Sequence, residues 1–169
     1  MSEAWSLERD GIRCQGKGAR ALLDQPMTAF FASRQCPGEA IRAALDWALQ
    51  QARRRRVVIS GFHSPLERSV LKLLLEARSP AVIVLARPLL RAKLPAQWLT
   101  AADLGDLAVI GLESDRGRLT EELAAQRNEL AARFADEVVV AHASGGGSLA
   151  AQIHRWRDAG RHVAYILTD

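Results

Sequence analysis

The chain has 169 residues, 49% of them apolar and 25% charged, with a net charge of +4 and a sequence pI near 9.7. That length suits one domain with a sizeable core, and the basic balance permits a polyanionic partner without demanding one. The apolar runs are too short to span a bilayer, and the N-terminal MSEAWSLERDG lacks the apolar stretch of a signal peptide, so no membrane partner and a cytoplasmic location are expected.

Residues 1–25 read as a lead-in, irregular or hairpin-like, because GIRCQGKG is too glycine-rich for a helix. Residues 26–169 then alternate short apolar runs with helical patterns. The strand candidates are Met27–Ala32, Arg56–Ser60, Ala81–Ala86, Leu107–Gly111, Glu137–His142 and His162–Leu167. Most are continuous rather than alternating, which suits strands buried on both faces. The first helix, Gly38 to Arg53, carries Ile41, Leu45, Leu49 and Ala52 at helical spacing. The second, Ser64 to Ala77, opens with an N-cap serine, a first-position proline and a capping-box glutamate, Glu67. A short helix over Pro95–Asp103, a longer one over Thr120–Phe134 and a last one from Ser148 to about Asp158 complete the pattern. Together these predict one doubly wound α/β domain: a mostly parallel six-stranded sheet with helices on both faces.

In such sheets ligands sit beyond the carboxyl ends of the strands. Here that edge comprises Ser33–Gly38, Ser60–Ser64, the loop from Arg87 to Leu94, Glu113–Leu119 and His142–Ser148. The first, second and last are short, rich in Ser or Gly, and run straight into a helix N-terminus. Free amides and the positive end of the helix dipole meet there, which favours phosphate. The turn Ser144-Gly145-Gly146-Gly147-Ser148 is the clearest case. Glycines also serve tight turns alone, so the weight rests on three such loops converging.

Arg127 falls among Leu123, Leu130 and Phe134 on the apolar stripe of its helix. An unpaired buried guanidinium is costly, so it should snorkel out or meet an anion, a carboxylate or main-chain carbonyls. Its neighbour Asn128 could add hydrogen bonds. Arg53 to Arg56 lie at the opposite, amino edge and read as a solvated run complementing a helix C-terminus. His63 and His142 are weaker candidates, each more simply a hydrogen-bonded loop histidine. Cys14 and Cys36 have no metal-ligand spacing and read as reduced thiols, with no base placed beside Cys36. No acid pair stands out, and no metal or cofactor is expected. Phe62 is the one aromatic in the three short loops, so stacking by these loops should contribute little.

These motifs, in this order, resemble the Rossmann-like domain of the DNA-processing A (Smf) family. ARALLDQPMTAFFASR is similar to that family's lead-in ending in Gly-Ser-Arg, with Ser33 and Arg34 matching and Ala32 in place of the glycine. VVISGFHSPLERSVLKLLLEARSPAVIVLARPL resembles its strand ending in Ser-Gly, its helix and its next strand. Pro65-Leu66-Glu67 stands where the family has Gly-Ile-Asp. RNELAARFADEVVVAHASGGGSLAAQ resembles its Arg-Asn segment and Ser-Gly-Ser-Leu turn, with Gly146 replacing the first serine. The similarity spans about residues 20–166. It implies a phosphate-binding site drawn from Ser33, Arg34, Ser60, Gly61, His63, Arg127, Asn128, Ser144, Gly145, Gly146, Gly147 and Ser148. It also implies a nucleotide or single-stranded nucleic acid as partner, with a homodimer left open. The wider superfamily includes lysine-decarboxylase-like phosphoribohydrolases, whose catalytic glutamate position is Ala151 here. N-glycosidic hydrolysis would then lack its acid/base group. The chain is therefore read as a binder rather than an enzyme, with a nucleotide-processing enzyme as the alternative.

Overall fold

The computed structural model describes residues 4–89, 92–112 and 121–167. The expected loop Glu113–Leu119, residue Thr120 and part of the Arg87–Leu94 loop lie outside them. The described strands are β1 (Trp5–Arg9), β2 (Ile12–Gly18), β3 (Met27–Phe31), β4 (Val57–Ser60), β5 (Ala81–Leu85), β6 (Leu107–Leu112), β7 (Glu137–Val140) and β8 (Val163–Tyr165). The helices are α1 (Gly38–Arg54), α2 (Pro65–Glu76), α3 (Ala96–Asp103), α4 (Glu121–Phe134) and α5 (Ser148–Asp158).

They form one sheet of order β1-β2-β6-β5-β4-β3-β7-β8. Six strands, β3 to β8, are parallel as expected. The sheet has eight strands rather than six, because the lead-in forms a β1–β2 hairpin and β2 pairs antiparallel with β6. A hairpin-like lead-in is among the expectations; its pairing with the main sheet is not. Gly16 has no side chain because the Trp5 indole lies over it, and a Cβ there would collide with the ring. The indole Nε1 donates to the Gly18 carbonyl at 3.1 Å.

Successive strand residues face opposite sides, and both sides are covered. Phe30, Val58, Ile83 and Val139 pack beneath α1, α2 and α3, whereas Phe31, Ile59, Val84 and Val140 pack beneath α4 and α5. Burying both faces explains the continuous apolar runs.

In α1 the buried stripe is one residue out of phase with expectation. Ala40, Ala44, Ala48 and Gln51 face the sheet, while Ile41 and Leu49 stay 39% and 42% exposed. Trp47 adds to the contact by stacking on Phe30 at 5.1 Å. Hydrophobic spacing picked the larger residues; α1 instead turns its alanines to the sheet.

The chain reverses its winding at β3. From β3 it steps to β4, β5 and β6, then returns through α4, which crosses β5, β4 and β3, to reach β7 on the far side of β3. The carboxyl ends of β3 and β7 therefore flank the topological switch point, where a crevice opens. No helix among the described residues is long and apolar enough to cross a membrane.

Candidate functional site

Three loops meet at this crevice and are joined by hydrogen bonds. Ser33 N–H donates to the His142 carbonyl at 2.9 Å, and Ser144 N–H donates to Ser33 Oγ at 2.8 Å. This joins the loop after β3 to the glycine turn after β7. Glu67 joins the loop after β3 to the one after β4. Its Oε2 accepts from Ala32 N–H at 2.9 Å, and its Oε1 accepts from His63 and Ser64 N–H at 2.9 and 3.2 Å. Ser64 Oγ accepts from Glu67 N–H, completing the expected capping box. Glu67 is thus more than a cap. Its grip on the end of β3 was invisible in the sequence, because the two partners are 35 residues apart.

The capping box and Pro65 take up much of the α2 N-terminus, which is therefore less open to an anion than foreseen for Ser60–Ser64. The turn itself is also internally satisfied. Ser60 is buried and its Oγ accepts from Phe62 N–H at 3.0 Å, which places the hydroxyl in the turn rather than the crevice. Phe62 holds a left-handed φ of 47° and is buried in the core.

The glycine turn is open. A Cβ on Gly145 or Gly146 would meet nothing within 4 Å, and their N–H groups donate to nothing among the described residues. Gly146 sits at φ +78°, where L side chains are strained. Gly147 caps α5 with no side-chain hydrogen bond, so the first-turn amides of α5, beginning at Ser148, are left to solvent or a ligand. Within the turn, Gly147 N–H donates to the Ser144 carbonyl at 3.1 Å.

Arg127 comes from the opposite face of the sheet. It is only 7% exposed, and its side chain lies against the Gly61 main chain, where a Cβ would collide with Nε. Its Nε is buried with no hydrogen-bond partner, although Glu67 is close enough for its charge to act on the guanidinium. Burial favours the neutral guanidine and Glu67 the charged one, but an arginine keeps its charge in practice. For Glu67, burial pushes the carboxyl up, while its three main-chain donors and Arg127 pull it down.

Around Arg127 the field is positive. Burial first, then the guanidinium charges of Arg127, Arg68 and Arg34, push the His63 imidazole below its ordinary range. Arg68 was not foreseen; it follows the capping glutamate and only the fold brings its charge to bear on His63. Asn128 is engaged elsewhere: its Nδ2 donates to buried Gln152 at 3.1 Å, joining α4 to α5. Cys36 donates from Sγ to the Ser33 carbonyl at 3.2 Å, and burial followed by the Glu67 charge raises its thiol. Among the described residues no cluster could hold a metal ion.

These features mark a doubly wound, Rossmann-like α/β domain whose cationic groups and open glycine turn gather at the topological switch point. It is the fold of DNA processing protein A. The chain matches the X-ray structure of that protein from Streptococcus pneumoniae with a TM-score of 0.77 at 20% identity, over 99% of this chain and 64% of that one. It matches DNA processing protein A from Helicobacter pylori, a structure describing a single-stranded DNA binding mode, with a TM-score of 0.77 at 14% identity, over 98% and 82%. The molybdenum cofactor carrier protein of Chlamydomonas reinhardtii is more distant, with a TM-score of 0.54 at 15% identity over 83% and 76%. The chain thus spans just under two thirds of the first of these proteins. No family model and no curated protein sequence matches it.

Proposed function

We propose that this domain is a non-enzymatic binder of nucleic-acid or nucleotide phosphate, held at the carboxyl edge between the glycine turn and the Arg127 cluster. One observation carries the reading: a buried guanidinium whose Nε has no partner. Leaving a buried donor unsatisfied costs about 1–3 kcal/mol, and a bound anion beside the cluster would add to the counter-charge that Glu67 supplies. The uncapped, glycine-rich start of α5 adds main-chain donors from the other side of the crevice. The Helicobacter pylori protein of the same fold, whose structure concerns single-stranded DNA binding, supports a nucleic-acid ligand. Ala151, on α5, leaves the position of the phosphoribohydrolase glutamate without a carboxylate, which supports binding over N-glycosidic hydrolysis.

The test is a titration of fluorescein-labelled oligothymidylate into the protein at several salt concentrations. We expect log K to fall linearly with log salt with a slope near −0.7 for each phosphate contacted, so about −1.4 to −2.1 for two to three contacts. Binding that is absent at low salt, or indifferent to salt, would remove the phosphate reading.

A further inference from the structure

Beside the glycine turn, at the carboxyl ends of β7 and β8, lies a cleft of about 660 Å³. That is within the range of about 300–1,000 Å³ usual for small-molecule sites. It is lined by Glu39 and Ala40 at the start of α1, by Ala164 and Tyr165 of β8 and by Arg157 of α5. His142, just ahead of the glycine turn, lines the cleft too. The Arg157 guanidinium lies 5.3 Å from the Tyr165 ring centroid and donates from Nη2 to the Val163 carbonyl at 3.0 Å. The hydrogen bond and the ring together position this exposed guanidinium.

We propose that this cleft is a nucleobase subsite of the phosphate site, and that guanine is the base it favours. The inference rests on the phosphate reading above. Three features carry it. The Arg157 guanidinium held over the Tyr165 ring offers a surface on which a base can stack. The small Ala40 and Ala164 leave room in the cleft for a planar ring. Glu39 offers an acceptor-only group, and guanine presents two adjacent N–H donors on its Watson–Crick edge, where adenine presents one donor beside an acceptor. Adjacent strands lie about 4.8 Å apart, so a phosphate at the turn after β7 and a base over β8 are within the reach of one nucleotide.

Calorimetric titration with GMP, AMP and ribose 5-phosphate at fixed salt tests this. The unaltered protein should bind GMP at least about tenfold more tightly than ribose 5-phosphate, and more tightly than AMP. Ala164→Leu, which takes up that room, and Arg157→Ala, which removes the stacking surface, should each erase the gain from the base while leaving ribose 5-phosphate binding unchanged. Glu39→Gln, at an exposed position, should abolish the preference of GMP over AMP. Equal affinity for GMP and ribose 5-phosphate, or a gain from the base that survives both Ala164→Leu and Arg157→Ala, overturns the subsite and leaves the phosphate reading standing. Affinity for AMP equal to that for GMP overturns the assignment of guanine. Failure of all three compounds and of oligothymidylate to bind overturns both readings.

Discussion

Arg127 and Glu67 are the residues on which the proposed site turns, and they should respond differently to substitution. Arg127→Met keeps a long stem against Gly61 and deletes the buried, unpartnered donor. The ligand-free variant should therefore stay within about 1 kcal/mol of the parent and lose about tenfold or more in oligothymidylate affinity, the value of a charged hydrogen bond. Denaturant unfolding beside a binding titration checks this; a large stability loss with unchanged affinity would make Arg127 a purely structural residue. Gly61→Ala should act through the same side chain, since its Cβ would collide with Arg127 Nε and displace it. Glu67→Gln is the converse case. Both carboxylate oxygens accept main-chain N–H groups, so an amide in either orientation sets donor against donor. We expect a loss of about 1–3 kcal/mol in unfolding free energy. His63 should give the proposed site a pH dependence. Its imidazole is pushed below the ordinary range when free, and a bound anion offsets the arginines and raises it. Binding then takes up a proton between the two values, so affinity for a phosphodiester, whose own charge is constant, should rise as pH falls below about 6.5. His63→Gln should flatten that rise; an unchanged profile in the variant would assign it to another group.

At the scale of elements, the turn between β7 and α5 separates backbone requirement from ligand space. Gly146 needs its positive φ, so any β-branched replacement there strains the turn by about 1–2 kcal/mol before a ligand is considered. Gly145 lacks a positive φ and its Cβ direction is open. Gly145→Val should therefore melt within a few degrees of the parent yet bind oligothymidylate distinctly more weakly, because the added side chain occupies the approach to the amides. Thermal melting with a binding isotherm decides it, and parent-like affinity would move the anion off the turn. The N-terminus of α2 behaves differently. It is closed by Ser64 and Glu67, whereas α5 begins at Gly147 with no side-chain cap. Two loops that look equally suited to an anion differ because one carries its own carboxylate.

Across the whole molecule, the two edges of the sheet carry different arginines. The central strands, of four to six residues, place the edges about 15–20 Å apart, roughly two Debye lengths at physiological salt. At the amino edge, Arg78 Nε pairs with Asp106 at 2.9 Å, and Arg55 donates to the Arg78 carbonyl and reaches Asp106 at 4.0 Å. Those charges are partly committed to holding α1, α2 and the start of β6 together. Replacing Arg53 to Arg56 together should change oligothymidylate affinity by less than about threefold, and Arg34→Ala should lower it by about fivefold or more. The reverse ranking, measured at physiological salt, would put the nucleic-acid surface at the amino edge.

The alternation of strands and helices and Arg127 as an inward-facing cation are legible in the amino-acid order, because they follow from periodicity and from the handedness of α/β winding. The capping box at Ser64 is legible for the same reason: its partners are three residues apart. Other features wait on long-range neighbours. The lead-in became two more strands because Trp5 packs on Gly16 and β2 finds β6. The α1 stripe shifted onto Ala40, Ala44 and Ala48, with Trp47 stacked on Phe30. Ser60 turned inward to Phe62, and Asn128 turned to Gln152. Glu67 reached Ala32, Arg68 joined the field at His63, and Arg127 Nε was left without a partner beside Gly61. Each of these is set by which residues distant in the chain share a few ångströms of space, and local pattern carries no record of that.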